Sequence, residues 1–370
     1  MDQQRHKRII ISGGGTGGHI FPAISIANAL RKKDPGIDIL FVGAEGRMEM
    51  EKVPDAGYKI RGLPVAGFYR SFTLRNITVL FRLIRSLSAA RKILKEFRPD
   101  AAVGVGGYAS GPILRQAGKM GIPTLIQEQN SYAGITNRLL AKRASVICVA
   151  YEGMEKYFPA EKIKITGNPV RHTYDNTDNL KDEALAYFGL KSGKPVILVL
   201  GGSLGAGTIN NSLSMNLDKV TGSDIQWIWQ TGKHYYESVS KAISGLSTDN
   251  ISVHGFIDRM DYAFAAADII VSRAGAGTIS ELCLAGKPVI LVPSPNVAED
   301  HQTRNARALS DREAAILVED RKALEILADV AIGLVTDNSR RTMLSENIKK
   351  MALRDADIKI AEEVLKLTEK

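Results

Sequence analysis

Along the chain, short continuous apolar runs rich in β-branched residues alternate with longer stretches of helical spacing. The runs at 8–12, 37–42, 101–105, 124–127 and 145–149 fill the first half, and those at 196–200, 225–229, 268–272 and 289–292 the second. Strands that stay apolar at every position are covered on both faces, as in parallel sheets flanked by helices. The pattern therefore predicts an α/β protein. A unit also repeats within the chain. Residues 106–130 (GGYASGPILRQAGKMGIPTLIQEQN) and 273–296 (RAGAGTISELCLAGKPVILVPSPN) share a glycine-rich loop, a helix, a Gly-x-Pro or Gly-Lys-Pro turn, an apolar strand and a polar loop.

A length of 370 residues with 44% hydrophobic content is enough for two buried cores. Two Rossmann-like, doubly wound parallel-sheet domains are expected, facing each other across a cleft with their glycine loops at the strand C-termini. Asn168-Pro169 breaks any helix in the segment 166–174, which is read as the hinge. Residues 358–367 have helical spacing and suit either domain. The basic N-terminus is followed by only a short apolar run, so neither a secretory signal peptide nor a spanning helix is expected. Cys148 and Cys283 stand alone and read as small buried residues of a reducing cytoplasm.

Charge changes this picture in one respect. The first 100 residues hold 18 Lys and Arg against 9 Asp and Glu, which accounts for the whole net charge of +9. A basic N-terminal half suits nucleic acid, an anionic membrane surface or a diphosphate substrate. With 6% aromatic residues and no nucleic-acid motif, no nucleic-acid partner is expected. Residues 68–98 carry eight cations and one acid. Within them Ile77, Phe81, Ile84 and Leu87 recur at helical spacing, as an apolar stripe for a membrane or as core.

Candidate chemistry begins with SGGGTGGH at 12–19, five glycines in six residues between an apolar run and a helical stretch. Glycines there let backbone N–H groups close on an anion without a Cβ in the way. Three further loops follow: GVGGYASG at 104–111, GGSLGAG at 201–207 and GAG at 275–277. Gly13, Gly15 and Gly18 also fit the G-x-G-x-x-G dinucleotide fingerprint, so an NAD-dependent oxidoreductase is an alternative. Its ribose-binding acid, however, has only Glu45 as a candidate. His19 is placed for a general base near neutral pH, or for a structural cap. Glu281, just after GAGTIS, is read either as a carboxylate favoured by a helix dipole or as an acceptor for a ribose diol. Asp355 and Asp357 resemble a metal-binding D-x-D but are read as a solvated helix face, and no other metal-ligand spacing occurs.

GGGTGGHIFPA, GVGGYASGP, EQNSYAGITNRLL (128–140), GNPVR (167–171), GGSLGA and RAGAGTISE stand in this order. Together they make the chain resemble, nearly end to end, the MurG family of UDP-N-acetylglucosamine:N-acetylmuramyl-(pentapeptide) pyrophosphoryl-undecaprenol N-acetylglucosaminyltransferases. The resemblance implies a GT-B fold. Residues 1–170 would bind acceptor and membrane, 171–352 would bind the nucleotide sugar, and 353–370 would form a helix crossing back to the first domain. It implies an inverting transfer of N-acetylglucosamine from UDP-N-acetylglucosamine to the 4-hydroxyl of MurNAc in lipid I, giving lipid II for peptidoglycan, without cofactor or metal.

Carried over by motif, donor contacts fall on Thr16, Gly17, Gly18, Asn130, Arg171, Ser203, Ile257, Ala276, Gly277, Thr278, Ile279, Ser280, Glu281 and Gln302. Where the family often shows Gln-Gln, this chain has His301-Gln302. His19 is the expected base, with Glu128 a second candidate that orients acceptor or base. Gly14, Gly15, Gly106, Gly107, Tyr108 and Ser110 would cradle the acceptor diphosphate. The implied location is peripheral, on the cytoplasmic face of the cell membrane, with other cell-wall synthesis proteins as further partners. A UDP-sugar epimerase of the same fold and a nucleotide-sugar-binding scaffold are the remaining alternatives.

Overall fold

The structure is a computed structural model that describes residues 6–65, 75–170, 177–202, 204–246, 248–297 and 300–369; side chains at 75–82 and 177–178 lie outside the description. The chain divides into two compact units, Met1–Val170 with Leu353–Lys370, and Arg171–Ala352.

The first unit is built on β1 (Arg8–Gly13), β2 (Asp38–Ala44), β3 (Lys59–Leu63), β4 (Ala101–Gly106), β5 (Thr124–Glu128), β6 (Val146–Val149) and β7 (Ile163–Ile165). All pair in parallel, in the order β3-β2-β1-β4-β5-β6-β7. Its helices are α1 (Gly17–Lys33), α2 (Glu49–Asp55), α3 (Arg75–Phe97), α4 (Ser110–Lys119) and α5 (Ile135–Leu140). The period of two divides each apolar strand between two cores. Ile9 and Ile11 face α1 and the closing helix Ala356–Leu367, whose Ile360, Ala361 and Val364 are fully buried with them. Ile10 faces the other way, against Ile93 and Leu94 of α3 and Ile113 of α4.

The second unit repeats the plan with β8 (Val196–Leu200), β9 (Gln226–Gln230), β10 (Ile251–His254), β11 (Ile269–Ser272), β12 (Val289–Leu291) and β13 (Ile316–Leu317), ordered β10-β9-β8-β11-β12-β13. Trp227 and Trp229 lie on one face of this sheet, fully buried with Ile197, Val199, Ile269 and Val271. The internal repeat is thus the same station in each sheet, β4-α4-β5 in the first and β11, the helix Ala276–Ala285 and β12 in the second.

Two expectations meet different outcomes. Cys148 and Cys283 are buried, and burial pushes both thiols up to about 12. Asp357 is not on a solvated face: it is buried in the first turn of the closing helix, where helix N–H groups and the dipole favour a carboxylate.

Candidate active site

In the first unit, the C-terminal ends of β1, β4 and β5 bring the candidate residues together. After β1 the chain turns through Gly14 and Gly15, the latter left-handed at φ +86°, and enters α1 at Gly17. The N–H groups of His19 and Ile20 donate to Thr16 O. Those of Gly17 and Gly18 are among the four that an α-helix start leaves without an intrahelical acceptor. Thr16 Oγ1 lies 3.3 Å from His19 Nδ1.

The second glycine loop rests on the first. A Cβ at Gly107 would stand 2.2 Å from Gly14 O, and one at Gly106 would stand 2.7 Å from His19 Nε2. Tyr108 is exposed beside them, while Ser110 is buried and its hydroxyl donates to Gly107 O at 3.0 Å.

The expected diphosphate cradle has one of its amides taken up by the protein itself. Gly15 N–H donates at 2.9 Å to Oε2 of Glu49, a fully buried carboxylate on α2, and Gly14 is bare because its Cβ would stand 2.1 Å from Glu49 Oε1. Gly14, Gly106 and Gly107 therefore lack side chains so that protein can pack on protein. Gly15 N–H is already engaged, and the N–H groups of Gly17 and Gly18 stand at the helix start, where an anion can be met.

Glu128 is itself held in place. It ends β5 at 2% exposure. Oε1 accepts from Asn130 N–H at 3.0 Å and from Asn130 Nδ2 at 3.3 Å. Oε2 accepts from Gly134 N–H at 3.0 Å and from Asn137 Nδ2 at 2.8 Å. A carboxylate holding four donors shapes its loop. Sequence reasoning missed a buried network below it: Gln127 Nε2 donates to Asn168 Oδ1, Asn168 Nδ2 to Gln129 O, and Gln129 Nε2 to Val105 O. These bonds join the ends of β4 and β5 to the Gly-Asn-Pro segment.

In the second unit the candidates lie again at strand C-termini. The loop after β8 packs on the one after β9, since a Cβ at Gly205 would stand 2.5 Å from Thr231 O. It leads into the helix Gly207–Met215. Ile257 follows β10 at 3% exposure, and its N–H and C=O bond no other described residue.

After β11, Gly275 is the N-cap of the helix Ala276–Ala285, whose first turn contains Ala276, Gly277 and Thr278. Ile279 is held inside this segment, its side chain 2% exposed and its N–H donating to Gly275 O. Ser280 Oγ donates to Ala276 O at 3.2 Å. Glu281 is the sixth residue of this helix, past the first turn in which a helix dipole acts, which weakens the dipole reading. Gln302, in the helix His301–Ser310, uses Oε1 to accept from Ser294 N–H at 2.9 Å and from Ala274 N–H at 3.3 Å. Its Nε2 makes no hydrogen bond among the described residues. Sequence reasoning also missed Arg273, which bonds Val292 O and Asp320 and so braces this loop.

Arg171 and Ser203 lie outside the described residues, as do the side chains of Ile77 and Phe81. Of the apolar stripe on α3, Ile84 is 57% exposed and Leu87 half-buried. Among the described residues, no helix is long and apolar enough to cross a membrane. Nor does any group of three or more His, Cys, Asp or Glu converge among them.

Two doubly wound sheets of matching strand order, each with glycine-lined loops at its strand C-termini, define the GT-B class of glycosyltransferase fold. The sequence model of the glycosyltransferase family 28 N-terminal domain matches residues 9–149, and that of the C-terminal domain matches 196–360. A UDP-N-acetylglucosamine--N-acetylmuramyl-(pentapeptide) pyrophosphoryl-undecaprenol N-acetylglucosamine transferase of Parabacteroides distasonis is 59% identical over 366 residues, 99% of this chain and 100% of the relative. One of the same name from Porphyromonas gingivalis is 56% identical, covering 98% of this chain and 96% of the relative. The crystal structure of Acinetobacter baumannii MurG superposes with a TM-score of 0.78 at 29% identity, covering 97% of this chain and 99% of that one. A UDP-N-acetylglucosamine 2-epimerase, at TM-score 0.63 and 16% identity over 98% of this chain and 95% of its own, shares the fold alone. The chain belongs to glycosyltransferase family 28 and, within it, to the MurG family.

Proposed function

We infer that the chain transfers N-acetylglucosamine from UDP-N-acetylglucosamine to the 4-hydroxyl of MurNAc in lipid I, releasing UDP and lipid II. The observation that carries this is identity of 56–59% over nearly the whole length to transferases of that name. Epimerase and oxidoreductase readings have no counterpart among those relatives. The first unit is assigned to the acceptor and the second to the donor.

The chemistry follows from the loop ends. In the tautomer in which Nδ1–H donates to Thr16 Oγ1, His19 Nε2 is the basic nitrogen that takes the 4-hydroxyl proton. The acceptor oxygen attacks C1 opposite UDP, the C1–O bond to UDP breaks, and the anomeric configuration inverts. Charge growing on the leaving diphosphate is met by amides opening the helix Gly207–Met215, together with Ser203 and Arg171. The backbone edge of Ile257, which bonds no other described residue, matches the polar edge of uracil. Glu281 accepts from the ribose hydroxyls, Ala276, Gly277 and Thr278 line the diphosphate, and Gln302 Nε2 donates to a sugar hydroxyl. From the first unit, Thr16, Gly17 and Gly18 contact the donor together with Asn130, which Glu128 fixes, and the loops carrying Gly14, Gly15, Gly106, Gly107, Tyr108 and Ser110 hold the lipid-linked diphosphate.

Lipid I is anchored in the membrane, so the enzyme works from the cytoplasmic face as a peripheral protein. Incubation with UDP-N-acetylglucosamine, with and without a lipid I analogue, tests the activity. UDP release that requires the acceptor is the expected result. Acceptor-independent turnover selects an epimerase or hydrolase, and no turnover in either tube selects a scaffold.

A further inference from the structure

Glu49 takes no part in the chemistry above, yet it is the carboxylate on which the glycine loop is built. It opens α2 with 0% exposure, and no cation pairs with it among the described residues. Oε2 accepts Gly15 N–H and Oε1 accepts Ala44 N–H, both at 2.9 Å, so one side chain ties the turn after β1 to the end of β2. Its surroundings are cut to fit. A Cβ at Gly43 would stand 2.5 Å from Glu49 Cγ, and one at Gly14 2.1 Å from Oε1. Burying a carboxylate is costly unless its oxygens are matched, and two charge-assisted N–H bonds are the match here.

The consequence is directional. Because Gly15 N–H is turned onto Glu49, Gly15 stays left-handed where the chain enters α1, two residues before Gly17 and four before His19. On the other side, Gly107 rests on Gly14 and Gly106 on the His19 ring. Glu49, Gly14, Gly107, Gly106 and His19 are thus consecutive contacts. We propose that Glu49 is a positioning residue for the transfer: its carboxylate fixes the glycine loop that sets the place of His19 against the acceptor and of the Gly17 and Gly18 amides against the donor. The proposal rests on the transferase reading above, which supplies the reaction being positioned.

The test is Glu49→Gln, which keeps the volume but replaces one acceptor oxygen with an NH2 facing a backbone N–H. Losing a charge-assisted bond there is expected to lower kcat/KM for a lipid I analogue about ten-fold or more. The KM for UDP-N-acetylglucosamine should change less than the acceptor kinetics, since most of the assigned donor contacts lie in the other unit, where Glu49 has no partner. Gly14→Ala, which drives a methyl into the carboxylate, should give the same split. A fall in melting temperature with unchanged acceptor kinetics overturns the proposal and makes Glu49 merely structural.

Amide exchange in the wild type gives an independent reading, needed if the variants fail to fold. Slow exchange at Gly15 and Ala44 is expected, and fast exchange at Gly15 overturns the proposal. Absence of any transfer by the wild type would instead overturn the transferase reading, leaving the Gly15 exchange to test the hold of Glu49.

Discussion

Gly106 lies directly against the ring of His19: a methyl group built on its Cα would stand 2.6 Å from Cδ2 and 2.7 Å from Nε2. Gly106 itself is at φ +103°, which L side chains rarely adopt. The last residue of β4 therefore places the imidazole of α1, although the two are far apart in sequence.

Gly106→Ala is expected to displace that ring and lower kcat by roughly 10² to 10⁴, the range for loss of a general base, with donor KM retained. Gly121→Ala is the control. Gly121 is also left-handed, at φ +74°, but no atom lies within 4 Å of its added Cβ. It should cost about 1 to 2 kcal/mol of stability and leave kcat alone. Equal kcat in the two variants would remove His19 from the chemistry.

Gln302 has separable halves. In Gln302→Glu the carboxylate still accepts the Ser294 and Ala274 N–H groups, so melting temperature should not fall, while the Nε2 donor is lost. Donor KM is expected to rise about three- to ten-fold, the worth of one neutral hydrogen bond, and further from repulsion of the diphosphate. Gln302→Ala loses both halves and should also melt earlier. Unchanged donor KM in Gln302→Glu would make this residue a loop brace only.

The pattern of apolar runs announces β1, β2, β4, β5, β6, β8, β9, β11 and β12, and misses β3, β7, β10 and β13. The four missed strands are the four edges of the two sheets. An interior strand is covered on both faces and reads as an unbroken apolar run, whereas KIRGL in β3 and IKI in β7 are half-exposed and carry lysine and arginine. The site divides in the same way. The glycine loops, and His19 at the end of the first, are legible because tight strand-to-helix turns in which backbone packs on backbone demand glycine at fixed positions. Glu49 is not, because a buried carboxylate that answers two backbone amides leaves no spacing signature. Its only traces are the bare positions Gly14 and Gly43 that make room for it.

Glu281→Ala should raise the donor KM roughly ten- to a hundred-fold, since a hydrogen bond to a charged group contributes about 1.5 to 3 kcal/mol. The preference for uridine over 2′-deoxyuridine nucleotides should narrow with it. Competitive binding of UDP and dUDP to the variant checks both. A donor KM equal to wild type, with preference for UDP intact, would return Glu281 to a structural role.

Burial lowers the pKa of His254 below the ordinary 6.5, with Nε2 2.9 Å from Ser252 Oγ and the ring against Phe188. The sign follows from proton uptake. Above 6.5 both folded and unfolded chains hold His254 neutral, so it gives no pH dependence. As pH falls below 6.5, the unfolded chain takes a proton that the folded one resists, and stability drops until the folded pKa is passed. Melting temperature should therefore fall on acidification more in wild type than in His254→Gln. A parallel decline in both proteins would assign the acid sensitivity elsewhere.

Membrane docking tests α3. Its inward face is Ser86, Ala90, Ile93 and Leu94, all buried, and its outward face presents Ile84, Arg85, Arg91, Lys92 and Lys95. A groove of about 710 Å³ beside it is lined by Arg8, Arg91, Lys92, Lys95 and Arg98, with Glu96 the single acid. Glu96 is already engaged by Arg61, which holds its carboxyl below the ordinary range. One exposed isoleucine set among cations suits an anionic leaflet better than another protein core. Burying Ile84 in the interface contributes about 1.5 to 3 kcal/mol, and each cation near the surface about 1 kcal/mol. Ile84→Ser is therefore expected to weaken binding to anionic vesicles roughly ten-fold, and Arg91→Gln with Lys95→Gln to weaken it comparably but only at low salt. Turnover of full-length lipid substrate should fall in step, while turnover of a soluble short-chain acceptor holds. Equal loss with both acceptors would mean that these substitutions disturb the fold, and unchanged vesicle binding would move the docking face off this part of α3.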